Sequence, residues 1–267
     1  MIKENFIKFL PDLISICEQA ADLQIKYHKT KINISKKHDK TPVTEIDIAS
    51  SKIITMGLKS MTPEIKVISE EHYSGVDKSD YFWLVDPLDG TNNYINNGSQ
   101  FCINIALIKD NFPILGLIYS PITKDLYYAF ENFGSYYKKF NEEPIKMKTS
   151  KLTFEGIKNI YTSTSIKSVI IKNLTENLNN VEIIRYSSAL KFGFIANGEG
   201  CFYPRIGPTH EWDTASGQCI IEEAGGIVVD KLMKRLQYNK NSEYLNKEFF
   251  VIGDPNFEWA RIINMII

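Results

Sequence analysis

Tyr81-Phe82-Trp83-Leu84-Val85-Asp86-Pro87-Leu88-Asp89-Gly90-Thr91 decides how the chain is read: an unbroken apolar run empties into a turn that holds two carboxylates. A short run of aromatic and aliphatic residues bounded by turn residues describes a strand. Asp-Pro and Asp-Gly then break it, since Pro presets φ and Gly admits the left-handed backbone of a tight turn. Upstream, Ile65-Lys66-Val67-Ile68 is a second short strand, ending at Ser69-Glu70-Glu71. Before that, Pro42-Val43-Thr44 opens a helix, Thr44 with Asp47 has the form of a capping box, and Ile48, Ala49, Ile53, Ile54 and Leu58 form the face expected to be buried. Phe6, Phe9, Leu10, Leu13, Ile14, Cys17, Ala20 and Ala21 recur at helical spacing and predict an N-terminal amphipathic helix to about residue 28.

Downstream, FCINIALI (101–108), PILGLIYSP (113–121) and LYYAF (126–130) alternate with turn signals and predict an antiparallel meander. Past a polar stretch near 140–152, strands and helices alternate: IKNIYTS, a helix near 166–178, VEIIRY, a helix near 188–197, CFYPRIG, a helix near 213–224 stopped by Gly225-Gly226, GIVVD, FFVIG and a terminal helix. The fold class is α/β, a layered α+β arrangement. A mostly antiparallel meander sheet occupies residues 1–145, and a smaller sheet flanked by helices occupies 146–267, the two making one continuous unit.

Composition sets the outer limits. The 267 residues carry 31 Lys and Arg against 32 Asp and Glu, and 43% are hydrophobic, which excludes extended disorder and fibrous architectures. A net charge of −1 leaves no basic footprint for a nucleic-acid polymer. Cys17, Cys102, Cys201 and Cys219 lie far apart without a C-x-x-C pair, which suits neither a disulfide scaffold nor a zinc site and fits a reducing compartment. Charges and a proline interrupt the apolar N-terminus, and no run of about 18 apolar residues exists to span a bilayer. The expectation is a cytoplasmic protein, free or docked at the inner face of the cell membrane, and a monomer or homodimer.

The carboxylates fall where chemistry is done. Glu70, Asp86 and Asp89 each come at or just after the C-terminal end of a strand, the edge at which α/β sheets bind ligands. Carboxylates brought to one point repel each other, and a hard divalent cation relieves that; oxygen-only donors favour Mg²⁺ or Mn²⁺ over zinc. Each signal has an ordinary alternative. Asp-Pro-x-Asp-Gly alone is most often a surface turn. Asp47 and Asp213 both sit where helices begin and read as caps, and Glu70-Glu71 reads as a solvated pair. No Ser-His-Asp or Cys-His set supplies a nucleophile, and neither His38 nor His210 is assigned as a ligand. The tryptophans and tyrosines read as packing.

Taken together, VTEID (43–47), SEE (69–71), DPLDGT (86–91) and WDTASGQCIIEEAGG (212–226) resemble, in order and spacing, the signatures of the inositol monophosphatase superfamily, whose members are Mg²⁺-dependent, lithium-sensitive phosphomonoesterases related to fructose-1,6-bisphosphatase. LVDPLDGT, ILGLIYSP, SSALKF (187–192) and YPRIGPTHEWDTASG (203–217) look like its CysQ-type branch of 3'(2'),5'-bisphosphate nucleotidases. The resemblance runs from about residue 6 to 255 and implies an αβαβα sandwich. It implies two or three Mg²⁺ ions, with Mn²⁺ a possible substitute, held by Glu70, Asp86, the Leu88 carbonyl, Asp89 and Asp213. It gives Glu70, Thr91 and Asp47 the task of orienting and activating the attacking water. Gly90 and Thr91 would bind the scissile phosphate, and Ser187, Ser188, Lys191, Arg205 and Asp213 would contact the rest of the substrate.

The substrate implied is 3'-phosphoadenosine 5'-phosphate, cleaved to AMP and phosphate. The alternatives are an inositol-1-phosphate or sugar phosphate phosphatase on the same scaffold, and a non-catalytic phospho-ligand sensor. Lys191 and Arg205 separate the first two, because a second phosphate needs fixed positive charge; read without the resemblance, both are ordinary solvated cations. Where the branch carries a His after Ser-x-Ser, this chain has Ile166 after Ser163-Thr164-Ser165, and Asn92-Asn93-Tyr94-Ile95-Asn96 replaces a more charged loop. Lys36-Lys37-His38-Asp39-Lys40 is either a segment that folds over the site or a solvated basic loop.

Overall fold

The computed structural model of the protein describes residues 7–36, 42–73, 75, 79–153, 155–156 and 158–267. Helix α1 (Leu10–Tyr27) is followed by a two-stranded antiparallel sheet, β1 (Ile34–Lys36) and β2 (Pro42–Thr44), and then by α2 (Glu45–Met61). The basic stretch 37–40 lies outside the described residues.

A seven-stranded sheet comes next, in the order β3-β4-β5-β6-β7-β8-β9. Its strands are β3 (Lys66–Ser69), β4 (Tyr81–Asp89), β5 (Cys102–Lys109), β6 (Phe112–Tyr119), β7 (Leu126–Phe130), β8 (Gly134–Lys138) and β9 (Ile145–Lys146). Helix α3 (Thr91–Ile95) interrupts them after β4. β3 and β4 pair in parallel and the rest form the expected meander. Past residue 146 the chain builds a five-stranded sheet of order β11-β10-β12-β14-β13. Its elements are β10 (Lys158–Thr162), α4 (Ser168–Asn177), β11 (Val181–Arg185), α5 (Leu190–Ala196), β12 (Phe202–His210), α6 (Ala215–Glu223), β13 (Ile227–Val229), β14 (Leu245–Ile252) and α7 (Trp259–Ile266).

Strand alternation sorts the side chains into layers. Trp83, Val85, Ile103, Ile105, Leu107, Leu115 and Leu117 face Leu13, Ile16, Cys17, Ala20 of α1 and Ile54, Leu58 of α2. Ile118, Tyr127 and Ala129, on the opposite face of the large sheet, meet Leu190 and Phe192 of α5, Cys219 and Ile220 of α6, and Phe249 and Val251 of the small sheet. The far side of the small sheet packs Phe202 and Phe250 on Ile170 and Leu174 of α4 and on Trp259, Ile262 and Ile263 of α7. The result is an αβαβα sandwich in which α5 and α6 lie between two sheets. Gly116 lets α6 approach this closely, for a Cβ there would collide with the Ser216 carbonyl oxygen.

Two expectations change. Pro42–Thr44 is a short strand, not the first turn of α2, although Thr44 caps the helix with the expected box. The buried face of α2 is Ile46, Ser50, Ser51, Ile54 and Leu58, and Ile48 is exposed. Helical phase explains this: Ile46, Ser50, Ile54 and Leu58 are spaced by four, and two small serines let α2 pack tightly where apolar counting alone looks for bulk.

Candidate active site

β4 runs four residues further than its apolar stretch. Asp86 pairs with Asn104 and Asp89 with Cys102, so three steps on β4 match two on β5 and the register shifts at Pro87-Leu88. Residues three apart on a regular strand point to opposite faces; the extra residue brings Asp86 and Asp89 to the same cavity. Pro87, which has no N–H to offer a ladder, sits where none is needed. Its carbonyl accepts from Gln24 Nε2 at 2.7 Å, and Leu88 N donates to Asp86 Oδ1 at 3.0 Å. Gly90 closes the turn at φ 99°, the left-handed region that Gly occupies without strain, and starts α3.

Two further carboxylates reach the same place from other elements. Glu70 follows β3, its N–H held by the Val85 carbonyl at 3.0 Å. Asp213 ends a 3₁₀ turn (Glu211–Asp213), where it accepts from His210 N at 3.1 Å; Glu211 beneath it is fully buried and accepts the N–H groups of Asn239 and Lys240. Burial, and then repulsion from Glu70, Asp89 and Asp213, holds Asp86 well above the usual carboxylate range. Asp213 is raised by burial and by Asp89 and Glu70. Burial also raises Asp89, against the pull of Lys191 and the Ala189 N–H.

Carboxylates forced up in this way fit a divalent cation, whose charge would offset their repulsion, and the donors are oxygens throughout. No three of the described His, Cys, Asp and Glu side chains close round a single point as they stand. Asp86 nonetheless feels the charge of all three of the others and is hydrogen-bonded to Glu70. Beside this cluster, Thr91 Oγ1 donates to Asp47 Oδ1 at 3.0 Å and contacts the Leu88 carbonyl at 3.1 Å. Asp47 is 2% exposed, and its other oxygen accepts from Thr44 N at 2.8 Å. It therefore caps α2 with one oxygen and holds the Thr91 hydroxyl with the other.

The opposite wall comes from the C-terminal half. The cavity, about 330 Å³, is lined there by Ser163, Thr164, Ser165, Tyr186, Ser187, Ser188, Lys191, Tyr203, Arg205, Thr209 and His210. Lys191 is 3% exposed rather than solvated: its ammonium donates to the carbonyls of Tyr186 (3.1 Å) and Ser188 and lies 4.8 Å over the Tyr203 ring. Burial lowers its pKa to about 8 even though Asp89 opposes the shift. Arg205 Nε and Thr209 Oγ1 are buried with no hydrogen-bond partner among the described residues. Ile166 packs into the apolar cluster beneath β10 and leaves that stretch of wall to the hydroxyls of residues 163–165. His210 stacks on Trp212 at 4.6 Å.

Three residues of this site escape a reading of motifs. Gln24 falls on the buried face of α1, in phase with Leu13, Cys17 and Ala20, and a polar residue in that phase is the signal. Asn104, fully buried within FCINIALI, lies 3.4 Å from Asp89 Oδ2, and it is the one amide in an apolar strand. Gln100 lies in a loop with no such marker.

A family model described as the inositol monophosphatase family matches residues 3–250. A 3'(2'),5'-bisphosphate nucleotidase CysQ of Aggregatibacter actinomycetemcomitans is 33% identical over 264 residues, 96% of each chain. Among solved structures, CysQ from Bacteroides thetaiotaomicron superposes with a TM-score of 0.77 at 28% identity, covering 92% of this chain and 97% of that one. An IMPase/NADP phosphatase complexed with Mg²⁺ and phosphate shares the fold, with a TM-score of 0.79 at 17% identity over 99% of this chain and 96% of that one.

Proposed function

The chain belongs to the inositol monophosphatase family, and from that footing we propose that it is a Mg²⁺-dependent 3'(2'),5'-bisphosphate nucleotidase that converts 3'-phosphoadenosine 5'-phosphate to AMP and phosphate. One observation carries the reading. A single cavity joins a carboxylate cluster (Glu70, Asp86, Asp89, Asp213) to a cationic, hydroxyl-lined wall in which Arg205 has an unpartnered buried nitrogen. An anion cleaved at one end and a second anion held at the other match that polarity.

Glu70, Asp86, Asp89, Asp213 and the Leu88 carbonyl would hold two or three Mg²⁺ ions, with Mn²⁺ able to replace them. Bound there, such ions supply an acidified water and neutralise charge on the phosphate and leaving oxygen. The protein's own residues do the rest. Asp47, held by the Thr44 N–H, orients the Thr91 hydroxyl, and the pair accepts the proton of the attacking water. The N–H groups of Gly90 and Thr91 stand at the start of α3, where a phosphate is favoured. Arg205 can meet the second phosphate through two N–H groups, with Ser187 and Ser188 adding hydroxyls and Lys191 adding its field. Residues 1–145 and 146–267 act as two halves of one catalytic unit, since Asp213 and this wall come from the second. Four free, buried cysteines support a reducing, cytoplasmic location for a monomer or homodimer.

The test is phosphate release with Mg²⁺ from 3'-phosphoadenosine 5'-phosphate, inositol 1-phosphate and fructose 1,6-bisphosphate. Preference for the nucleotide supports the proposal. Preference for inositol phosphate moves the protein to the monophosphatase reading, and no release from any of them leaves a different phosphorylated substrate or a phospho-ligand sensor.

A further inference from the structure

We propose that Gln100 is a positioning residue that fixes the span between the turn cradling the scissile phosphate and the turn facing the second phosphate, and thereby sets the preference for bisphosphates over monophosphates. This rests on the nucleotidase reading above.

Gln100 touches both turns with three different groups. Its backbone N–H donates to Asn93 Oδ1 at 2.7 Å, tying it to α3. Its backbone carbonyl lies against Gly90, where an added Cβ would stand 2.8 Å from that oxygen. Its side-chain Oε1 accepts the Ser187 N–H at 2.9 Å, across 87 positions of sequence and from one half of the chain to the other. A second tie runs beside it, from the Ala189 N–H to Asp89 Oδ2. The turn at 187–189 is therefore held directly to the Asp86–Thr91 turn by one hydrogen bond, and indirectly by a second that runs through Gln100, which packs on Gly90 and bonds to Asn93 of α3.

These two ties differ in what they cost the site. Asp89 is one of the carboxylates that would hold metal, so its bond to Ala189 competes with that duty. Gln100 does not line the cavity and is free of any such competition. The turn it holds also needs support, since Ser188 sits at φ 61°, a conformation that a non-glycine residue keeps only when its surroundings impose it. Lys191 imposes it from below through the carbonyls of Tyr186 and Ser188. Gln100 imposes it from the other side, through the N–H of Ser187. Without the acceptor at position 100, the 187–188 hydroxyls and N–H groups drift relative to Gly90 and Thr91. A ligand that spans both turns loses affinity, and a ligand seated on one does not.

The experiment compares wild type with Gln100→Leu, which keeps the volume and loses the acceptor, and Gln100→Glu, which keeps an acceptor. For 3'-phosphoadenosine 5'-phosphate, Gln100→Leu is expected to raise KM about three- to tenfold, the worth of one hydrogen bond, with kcat within about twofold. With adenosine 3'-phosphate, which lacks the second phosphate, its kcat/KM should match wild type. Gln100→Glu should restore the wild-type KM. Equal losses of kcat/KM on both substrates, or a Glu variant as impaired as Leu, would reduce Gln100 to a structural residue and overturn the proposal. An unchanged KM in Gln100→Leu, with a wild-type melting temperature, would overturn it as well. If wild type itself releases no phosphate from 3'-phosphoadenosine 5'-phosphate, the nucleotidase reading has failed, and that outcome is seen before any variant is compared.

Discussion

Thr91 and Asp47 lie 44 positions apart in the chain and share one hydrogen bond of 3.0 Å. Its geometry assigns the donor: Asp47 accepts two bonds from Thr44 at its other oxygen and is locked, so the Thr91 hydroxyl is the group that can respond to a water. Thr91→Val keeps the shape and removes the hydroxyl. It should lower kcat by about a hundredfold or more, as loss of proton-transfer help does, and Thr91→Ser should recover most of it. A Val variant with wild-type turnover would remove Thr91 from the mechanism. Asp89→Asn tests the cluster in the opposite sense. Burial already makes the Asp89 charge costly, so the amide should leave the melting temperature in EDTA unchanged or higher. Turnover in Mg²⁺ should fall by more than the 10- to 100-fold that loss of a supporting residue causes. Retained activity at low Mg²⁺ would contradict it.

Between elements, a single carboxylate fastens the turn after β14 to the chain that leaves the large sheet. Asp254 accepts from Lys151 Nζ at 3.1 Å, Leu152 N at 3.0 Å and Asn256 N at 3.2 Å. Burial alone would raise its pKa, but those donors outweigh burial and hold it below the ordinary value. A depressed folded pKa contributes stability that is complete above the unfolded value, about 3.9, and is lost as pH falls through the folded one. Asp254→Asn should therefore cost about 1–3 kcal/mol at pH 7. The gap to wild type should narrow below about pH 4 in denaturant titrations, and a gap independent of pH would show that the charge plays no part. At this scale apolar periodicity carries most of the information: α1, the meander and the alternation past residue 157 all follow from it. What periodicity misses is explained by local geometry. The register shift at Pro87-Leu88 leaves no apolar mark, α2 buries serines, and Gln100 sits in a loop where no periodicity marks its side-chain acceptor. The motif carboxylates were readable because their chemistry restricts residue type; Arg205 and Lys191 were marked only by the family resemblance, since it takes the fold to show that one has a buried nitrogen without a partner among the described residues and that the other is enclosed.

The molecule as a whole gathers its site across the joint between two sheets, with Glu70, Asp86 and Asp89 from one and Asp213 and the 187–205 wall from the other. An ion bound at the joint should therefore stabilise the entire fold. At a hundred times its dissociation constant, one ion adds about 2.7 kcal/mol, so the EDTA-treated protein should melt several degrees higher when Mg²⁺ is restored, in one cooperative transition. Absence of any shift up to tens of millimolar Mg²⁺, on the order of what a weak oxygen-donor site requires, would argue against the assigned ligands. The helical layer between the sheets also has a consequence for how the protein is made. Ile118, Tyr127 and Ala129 are covered only when Leu190, Phe192, Cys219 and Ile220 arrive, some 60 to 100 residues later in synthesis. At about 5–20 residues per second, that face of the nascent sheet stands bare for on the order of 10 s. A ribosome stalled after Lys146 would therefore hold out a sheet covered on its α1–α2 side and bare on the other.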